Sequence, residues 1–579
     1  MVEEFKGKEW QKYEISVKKL VKSDRKEDNY SVLLSYKFEV CMSDDKQNSN
    51  SKFLKGTMIL TISSIVVKVI GSLNWIILSR VLGGEGIGLY QMGFPIYLMA
   101  ITVSSAGVPV AISIITSEKL ANKDYRGAKR VFNISLRLLL LTGLVFSSAL
   151  FFGADFLINQ HIIRDARAYY SIIALAPAVF FVTFLASFRG YLQGWQIMTP
   201  TAVSEIVEQL TRVITMLVFA DLFLPYGLAY AAGGASMGAG VGAFCALLVL
   251  MWFYRRLKKR LHAEIAAQDD SIPVESAGHI IKRLLKLALP VSLTSLMLPI
   301  GANLDLLIVP QRLEVAGFNV RHATELFGYL TGMAVPLVNL ATIFTAAMTI
   351  SLVPSISESR ALKNFEAIRA KIRIAFRVAM IITFPCFMGL FFLAEKVASL
   401  IYNAPGAAGA IQTMSIGILF LGMHQISTGI LQGLGRTAVP VMNMILACVI
   451  KVILSWELTA VPYLGIKGAS LATVADFAVA AIINMLFIYK YTGFTLSLSS
   501  IIRPLVASGI MGAAIYGVLF LTEGLGMWCV LFAMAASVPV YAVALLAVGG
   551  LTKEDLDNVP FIGRRILAVG RRCGLFKEG

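Results

Sequence analysis

The sequence predicts an all-α polytopic membrane protein with fourteen transmembrane helices: two pseudo-symmetric six-helix lobes followed by two extra C-terminal helices. Of its 579 residues, 57% are hydrophobic and only 15% are charged, whereas soluble domains carry about 25% charged residues. The apolar residues form runs long enough to cross a bilayer, which requires about 20 residues of helix. A pattern of prolines, glycines and polar residues also recurs at an offset of about 240 residues.

The apolar runs define the expected spans in chain order. The first two are separated by the turn Gly83-Gly84-Glu85-Gly86, because glycine permits backbone angles that a helix does not use. The fourteen spans are residues 57–82, 87–117, 130–153, 167–193, 200–223, 228–254, 282–311, 325–355, 370–394, 408–433, 438–458, 465–490, 501–521 and 525–549.

Polar segments divide the chain around these spans. Residues 1–52 carry 11 basic and 10 acidic residues and no apolar run, so we expect a disordered cytoplasmic extension. The predicted order is then a first lobe at 53–256, a basic cytoplasmic linker at 257–281, a second lobe at 282–492, helices 13–14 at 500–550 and a basic cytoplasmic tail at 551–579.

The net charge of +17 comes from 52 basic and 35 acidic residues, a balance that could indicate binding to nucleic acid. Its distribution favours another explanation, because the basic excess lies in every second loop, at 119–130, 255–260 and 360–373, and in the tail. Cytoplasmic loops of membrane proteins show this bias. We therefore expect a multi-pass protein of the cell membrane with both termini in the cytoplasm and no nucleic-acid partner.

The repeat relates spans 1–6 to spans 7–12. Pro95 corresponds to Pro336, and Ser117-Glu118 corresponds to Ser357-Glu358. Because six spans are an even number, the two copies have the same orientation, and two such bundles can rock against each other around a central site. A static scaffold that keeps an ancient duplication is the alternative.

The charged residues inside the spans are not copied between the halves. Lys68 lies about twelve residues from each end of its span, and a cation at that depth is costly unless it faces a polar interior. Its three donors suit a phosphate or pyrophosphate. The alternative is a lysine that reaches the interface or pairs with a carboxylate.

Span 5 carries three charged residues on one side. Glu205, Glu208 and Arg212 are spaced i, i+3 and i+7. Glu208 and Arg212 could simply pair with each other. Glu205 would then be left to hold a proton or cation, or to pair with Lys68 or Lys451 across the cavity.

Other charged residues allow both a functional and a structural interpretation. Three arginines lie at span ends, where interfacial anchoring is common: Arg80, Arg189 and Arg312. Asp305 and Lys451 lie deeper. We expect His424 to be packed and hydrogen-bonded, and likewise Asp476. The sequence contains no phosphate loop or HExxH run, so we expect no catalytic residues, cofactor or metal. The six cysteines lack metal-ligand or redox spacing.

Several stretches resemble a sporulation-linked branch of the multidrug/oligosaccharidyl-lipid/polysaccharide exporter superfamily, close to the lipid II flippases. Lys68-Val69-Ile70-Gly71 fits the basic residue of the family's first helix, whereas Asn74 stands where relatives often have a second basic residue. The matching stretches are residues 53–57, 85–90, 107–113, 189–194, 224–227, 230–232 and 559–564.

The resemblance implies two lobes around a cationic cavity that moves an undecaprenyl-pyrophosphate-linked peptidoglycan precursor across the membrane, for spore cortex synthesis. The headgroup would meet Lys68, helped by Arg80, Arg212, Arg312 and Lys451. Ion coupling or pairing within the cavity would involve Glu205, Glu208 and Asp305.

The resemblance also implies that spans 13–14 line a groove for the lipid tail. The expected partners are a polyprenyl-linked glycan, a coupling cation and membrane lipids, and we expect a monomer. Three alternatives remain open: a flippase for another polyprenyl-linked polysaccharide, a cation-coupled multidrug exporter and a non-transporting scaffold for cortex enzymes.

Overall fold

The computed structural model describes residues 49–105, 107–268, 275–522 and 524–550. It separates into two units, Met1–Met58 and Ile59–Gly579. In the first unit, residues 49–58 are described and are helical. The predictions for residues 1–48, for linker residues 269–274 and for the tail at 551–579 lie outside the described residues. Everything below concerns the second unit.

The described residues form eighteen α-helices, with short 3₁₀ or π-helical turns between some of them. The helices are α1 (Ser49–Ser105), α2 (Val108–Ala121), α3 (Tyr125–Asn159), α4 (Tyr169–Gly194), α5 (Thr199–Phe223), α6 (Leu228–Ala266), α7 (Ala277–Ser295), α8 (Met297–Val315), α9 (Val320–Gly328), α10 (Val335–Ala341), α11 (Ile343–Ala361), α12 (Phe365–Lys396), α13 (Ala408–Ser415), α14 (Gly417–Gly433), α15 (Ala438–Thr459), α16 (Ile466–Thr492), α17 (Ser499–Leu521) and α18 (Met527–Ala547).

The longest helix, α1, is interrupted at Gly83. This residue has φ of 65° and ψ of −177°, which are not helical angles. Glycine adopts a positive φ easily because it has no Cβ. The break therefore falls at the turn that the sequence predicts between the first two spans.

An all-α polytopic membrane protein is confirmed, but the count of fourteen spans is not. Nine of the described helical stretches are long and apolar enough to cross a membrane, or up to eleven if each of two bent helix pairs is one span. Three differences separate this count from fourteen. Residues Ile62–Ala121 count as one stretch despite the break at Gly83; α5 carries several charged residues; and the expected seventh span is divided into α7 and α8.

The largest apolar cluster joins both halves of the chain, for example through Leu78 and Phe327, whereas two smaller clusters each follow one half. One cluster joins residues of α2 to α6, such as Leu139 and Leu192, and another joins residues of α11 to α16, such as Phe376 and Ile430. Helix α7 belongs to the expected second lobe, yet it buries Ile280, Leu284 and Ala288 in the first of these clusters. The buried residues recur every four positions, so α7 offers one apolar face to the first half of the chain.

Helices α17 and α18 pack beside α12. The Tyr541 hydroxyl of α18 donates a hydrogen bond of 2.7 Å to the carbonyl of Ile381 in α12. Gly512 of α17 faces the ring of Phe392 in α12. The extra pair therefore lies against the second half of the chain.

A close helix contact joins the two halves near the Gly83 break. Gly88 of α1 leaves no room for a Cβ against the backbone of Thr324 in α9, and Gly328 leaves little room against Gly88. The Gln91 amide donates a hydrogen bond of 2.8 Å to the carbonyl of Thr331. Small residues allow such close backbone approach in membrane helices. We call this contact the glycine interface.

Candidate functional site

A row of aromatic side chains joins the two parts of α1 on either side of the break at Gly83. Trp75 meets Tyr90 edge-on at 5.6 Å, Tyr90 stacks with Phe94 at 5.8 Å, and Phe94 lies 5.7 Å from Tyr97, measured between ring centroids. Tyr90, Phe94 and Tyr97 are spaced i, i+4 and i+7, so they share one helix face. We call these four residues the aromatic row.

Arg212 of α5 lies against the aromatic row. Its guanidinium donates a long hydrogen bond of 3.4 Å to the Tyr90 hydroxyl. Its central carbon lies 5.4 Å from the centroid of the Phe94 ring, within the range of a cation–π interaction. Among the described residues, no carboxylate forms an ion pair with Arg212.

Lys68 projects from α1 on the same side as Trp75, because residues seven apart in a helix lie two turns apart on one face. The side chain is exposed and forms neither a hydrogen bond nor an ion pair with the part of the chain that the structure describes. A separate exposed stripe of α1 is apolar and suits contact with lipid: Ile62, Val66, Val69, Leu73 and Ile77. Lys68 points about 100° or more away from that stripe.

Glu208 pairs with a residue of another helix and not with Arg212. Its Oε2 lies 2.7 Å from Nη2 of Arg189 in α4. Arg189 also donates through Nε to the Ser204 hydroxyl at 3.3 Å. The Glu208–Arg212 ion pair that the spacing allows is therefore not formed, although the Glu208 carboxylate still interacts electrostatically with Arg212. Glu205 is half-buried one turn away and lies near Ser63, whose hydroxyl donates to the carbonyl of Leu60 at 2.9 Å.

A second charged cluster lies between α8, α15 and α16. The ammonium of Lys451 is 2.7 Å from Oδ2 of Asp305, and the lysine side chain is only 9% exposed. Asp476 of α16 interacts electrostatically with both residues. Lys451 is therefore already compensated by carboxylates, unlike Lys68 and Arg212.

The two arginines at span ends bond to backbone carbonyls of other helices. Arg80 donates through Nε to Ile401 at 2.7 Å and through Nη2 to Leu400 at 2.5 Å. Arg312 donates to the carbonyl of Trp456 at 2.8 Å and covers its indole ring at 4.4 Å. These contacts connect helices at their ends. A cation at the C-terminal end of a helix interacts favourably with the helix dipole. Whether either arginine also meets a headgroup stays a prediction.

Sequence reasoning did not assign two parts of this arrangement. The aromatic row could have been found from the i, i+4, i+7 spacing of its tyrosines and phenylalanine, although the same spacing is common in apolar cores. The role of Arg189 as the partner of Glu208 has no sequence signal, because the two residues belong to different helices. His424, expected to be hydrogen-bonded, has a buried Nδ1 without a hydrogen-bond partner in the described part of the chain.

Comparison with known proteins identifies the family. Residues 53–360, more than half of the chain, match the model of the family described as polysaccharide biosynthesis protein. The chain belongs to this family. Residues 330–456 also match the MatE family model.

Two proteins of Bacillus subtilis (strain 168) show how far the similarity extends. Stage V sporulation protein B is 28% identical over 522 residues, which cover 89% of this chain and 99% of that protein. Lipid II flippase MurJ is 25% identical over 487 residues, or 80% of this chain and 88% of that protein. The resemblance to the sporulation branch of the exporter superfamily is confirmed.

A solved structure shares the fold. The structure titled "Lipid II flippase MurJ, inward closed conformation" superposes with a TM-score of 0.63 at 16% identity, covering 84% of this chain and 98% of that one. At this identity the likeness concerns the fold alone. Together, the family and the apolar helices identify a multi-pass membrane protein of the exporter superfamily.

Proposed function

We propose that this chain is an alternating-access flippase that moves an undecaprenyl-pyrophosphate-linked peptidoglycan precursor across the cytoplasmic membrane. The observation that carries the proposal is that two cations, Lys68 and Arg212, form no ion pair with a carboxylate of the described residues. Arg212 contacts the aromatic row, and Lys68 lies two helical turns from Trp75 on the same face of α1. The similarity to a lipid II flippase and to stage V sporulation protein B supports the substrate class and a role in the spore cortex.

The chemistry of the two cations fits a lipid-linked pyrophosphate. An uncompensated charge among membrane helices costs about 2.5–3.5 kcal/mol on insertion scales, so it is expected to serve a ligand. The ammonium of Lys68 is a compact charge that suits a phosphate, and the fork of Arg212 can bind two phosphate oxygens at once. Neutral drugs would not require this pair.

The glycine interface fits one state of an alternating-access cycle. If both termini are cytoplasmic, as the basic loops indicate, α1 begins inside the cell and its break at Gly83 lies at the outer face. The contact between Gly88 and Thr324 would then close the outer end while the inner end admits the headgroup. Rocking of the two halves would open the outer end.

Two alternatives of other kinds predict different results. A cation-coupled multidrug exporter is favoured by the MatE match over residues 330–456, and its deletion would raise drug sensitivity without a wall or cortex defect. A scaffold for cortex enzymes would tolerate neutral substitutions at Lys68 and Arg212. A flippase for another polyprenyl-linked glycan would restore that polymer and not peptidoglycan.

The decisive experiment is complementation of a depletion strain, with the leaflet accessibility of the lipid-linked precursor as the readout. Lys68→Ala is expected to abolish complementation and to leave the precursor at the inner leaflet, because the remaining cation cannot replace the lost one. Lys259→Ala, a matched change at an exposed lysine of α6, is expected to behave as wild type. Normal complementation by a Lys68→Ala protein that reaches the membrane at wild-type level would refute the headgroup role.

A further inference from the structure

The position of Arg189 explains why Arg212 has no carboxylate partner. Glu208 and Arg212 are four residues apart on α5, and an acid followed by a base at this spacing forms a favourable pair on a helix. In the structure the Glu208 carboxylate instead binds Arg189 at 2.7 Å, and both side chains are 20% exposed. Arg212 is left facing Tyr90 and Phe94.

Arg189 is held in place by a second contact with α5. Its Nε donates to the Ser204 hydroxyl at 3.3 Å, while its Nη2 reaches Glu208. Ser204 and Glu208 are themselves one turn apart on α5, so the guanidinium lies along one face of this helix. Its electrostatic interaction with Glu205 adds a second carboxylate on the same side.

We propose that Arg189 is a positioning residue: by holding the Glu208 carboxylate it keeps the Arg212 guanidinium available for the anionic headgroup. The proposal rests on the proposed function, because it assumes that Arg212 binds the pyrophosphate. Without Arg189, the Glu208 carboxylate, one helical turn from Arg212, competes with the headgroup for the Arg212 guanidinium. The rival explanation is that Arg189 and Glu208 only tie α4 to α5.

The two explanations differ in a double substitution. Arg189→Ala should weaken headgroup binding about tenfold, since Glu208 then occupies the guanidinium that the phosphate would use. Arg189→Ala combined with Glu208→Gln should restore most of the affinity, because the competing carboxylate has been removed. A tie between helices would predict that the double variant binds as poorly as the single one, since both lack the ion pair. Arg189→Lys keeps a cation beside Glu208 and should lose less than about threefold.

The measurement is equilibrium binding of fluorescent lipid II to the purified full chain in nanodiscs. Binding is chosen over transport because Glu208 is also a candidate for ion coupling, which would change transport by itself. Thermal unfolding of each variant is measured alongside, so that affinities are compared only between folded proteins. Equal affinities of the single and double variants, or wild-type affinity of Arg189→Ala, would overturn the proposal.

An Arg212→Ala variant separates this proposal from the function on which it rests. If Arg212→Ala binds lipid II as well as wild type, Arg212 does not bind the headgroup, and the proposed function loses that residue. If Arg212→Ala binds weakly while the double variant is not rescued, the headgroup role of Arg212 stands and the positioning role of Arg189 is refuted.

Discussion

The glycine interface offers a direct test of how the two halves of the chain close. A Cβ built at Gly88 would lie 2.8 Å from the carbonyl carbon of Thr324 and 2.9 Å from its Cγ2. Carbon atoms in optimal contact are about 3.5–4.0 Å apart. The carbonyl oxygen of Thr324 lies closer still, so Gly88→Ala requires α1 and α9 to separate locally by more than about 1 Å. The overlap involves backbone atoms, which cannot rotate away as the end of a side chain can.

The cost of that overlap sets the expected size of the effect. Forcing an extra methyl group into a tight contact costs about 1–3 kcal/mol. If the cost falls only on the closed arrangement, the ratio of closed to open molecules falls by a factor of about 5–150. Gly153→Ala is a matched control, because a Cβ there has nothing within 4 Å and the residue also lies inside a helix.

The assay is a distance distribution between two spin labels, one on each half of the chain. Gln160 and Arg321 are exposed and lie near the ends of α3 and α9 beside the interface. Gly88→Ala should move the population toward longer distances, while Gly153→Ala should leave it unchanged. An unchanged distribution in a folded Gly88→Ala protein would refute the view that this contact closes the molecule.

Two further predictions concern pairs that cross between helices. Lys451→Ala leaves the Asp305 carboxylate, which is 19% exposed, without its partner, so the free energy of unfolding should fall by less than the roughly 3–5 kcal/mol of a fully buried pair. Thermal unfolding in detergent measures the change. A Lys451→Met/Asp305→Leu double variant should recover part of the loss, because Asp476 still lacks its interaction with Lys451. Thr324→Val removes a hydrogen bond of 2.9 Å to Asp165, a residue that is 3% exposed. The closed arrangement should lose about 1–3 kcal/mol of stabilisation. The spin-label distances should therefore shift in the same direction as in Gly88→Ala.

Each of these two predictions has an outcome that contradicts it. A Lys451→Ala protein with wild-type thermal stability would mean that the Asp305–Lys451 ion pair does not stabilise the fold. Wild-type distances in Thr324→Val would mean that the bond to Asp165 contributes nothing to closure.

The sequence by itself determined the class of the protein, its helical runs and the position of its first break. These properties are local or periodic: a bilayer requires about 20 apolar residues per helix, and Gly83 permits the positive φ that separates two spans. The sequence also located Lys68 as a charge deep in an apolar run, because the cost of that placement follows from the residues around it. The matches to known families agree with this level of description.

The tertiary structure alone decided which charges neutralise each other. Helical spacing shows that Glu208 and Arg212 share a face of α5, but it cannot show that Arg189 of α4 takes the carboxylate. In the same way, the pairing of Lys451 with Asp305 joins residues 146 positions apart. The physical reason is that periodicity defines the faces of one helix, whereas the choice of the facing helix depends on how all the helices pack.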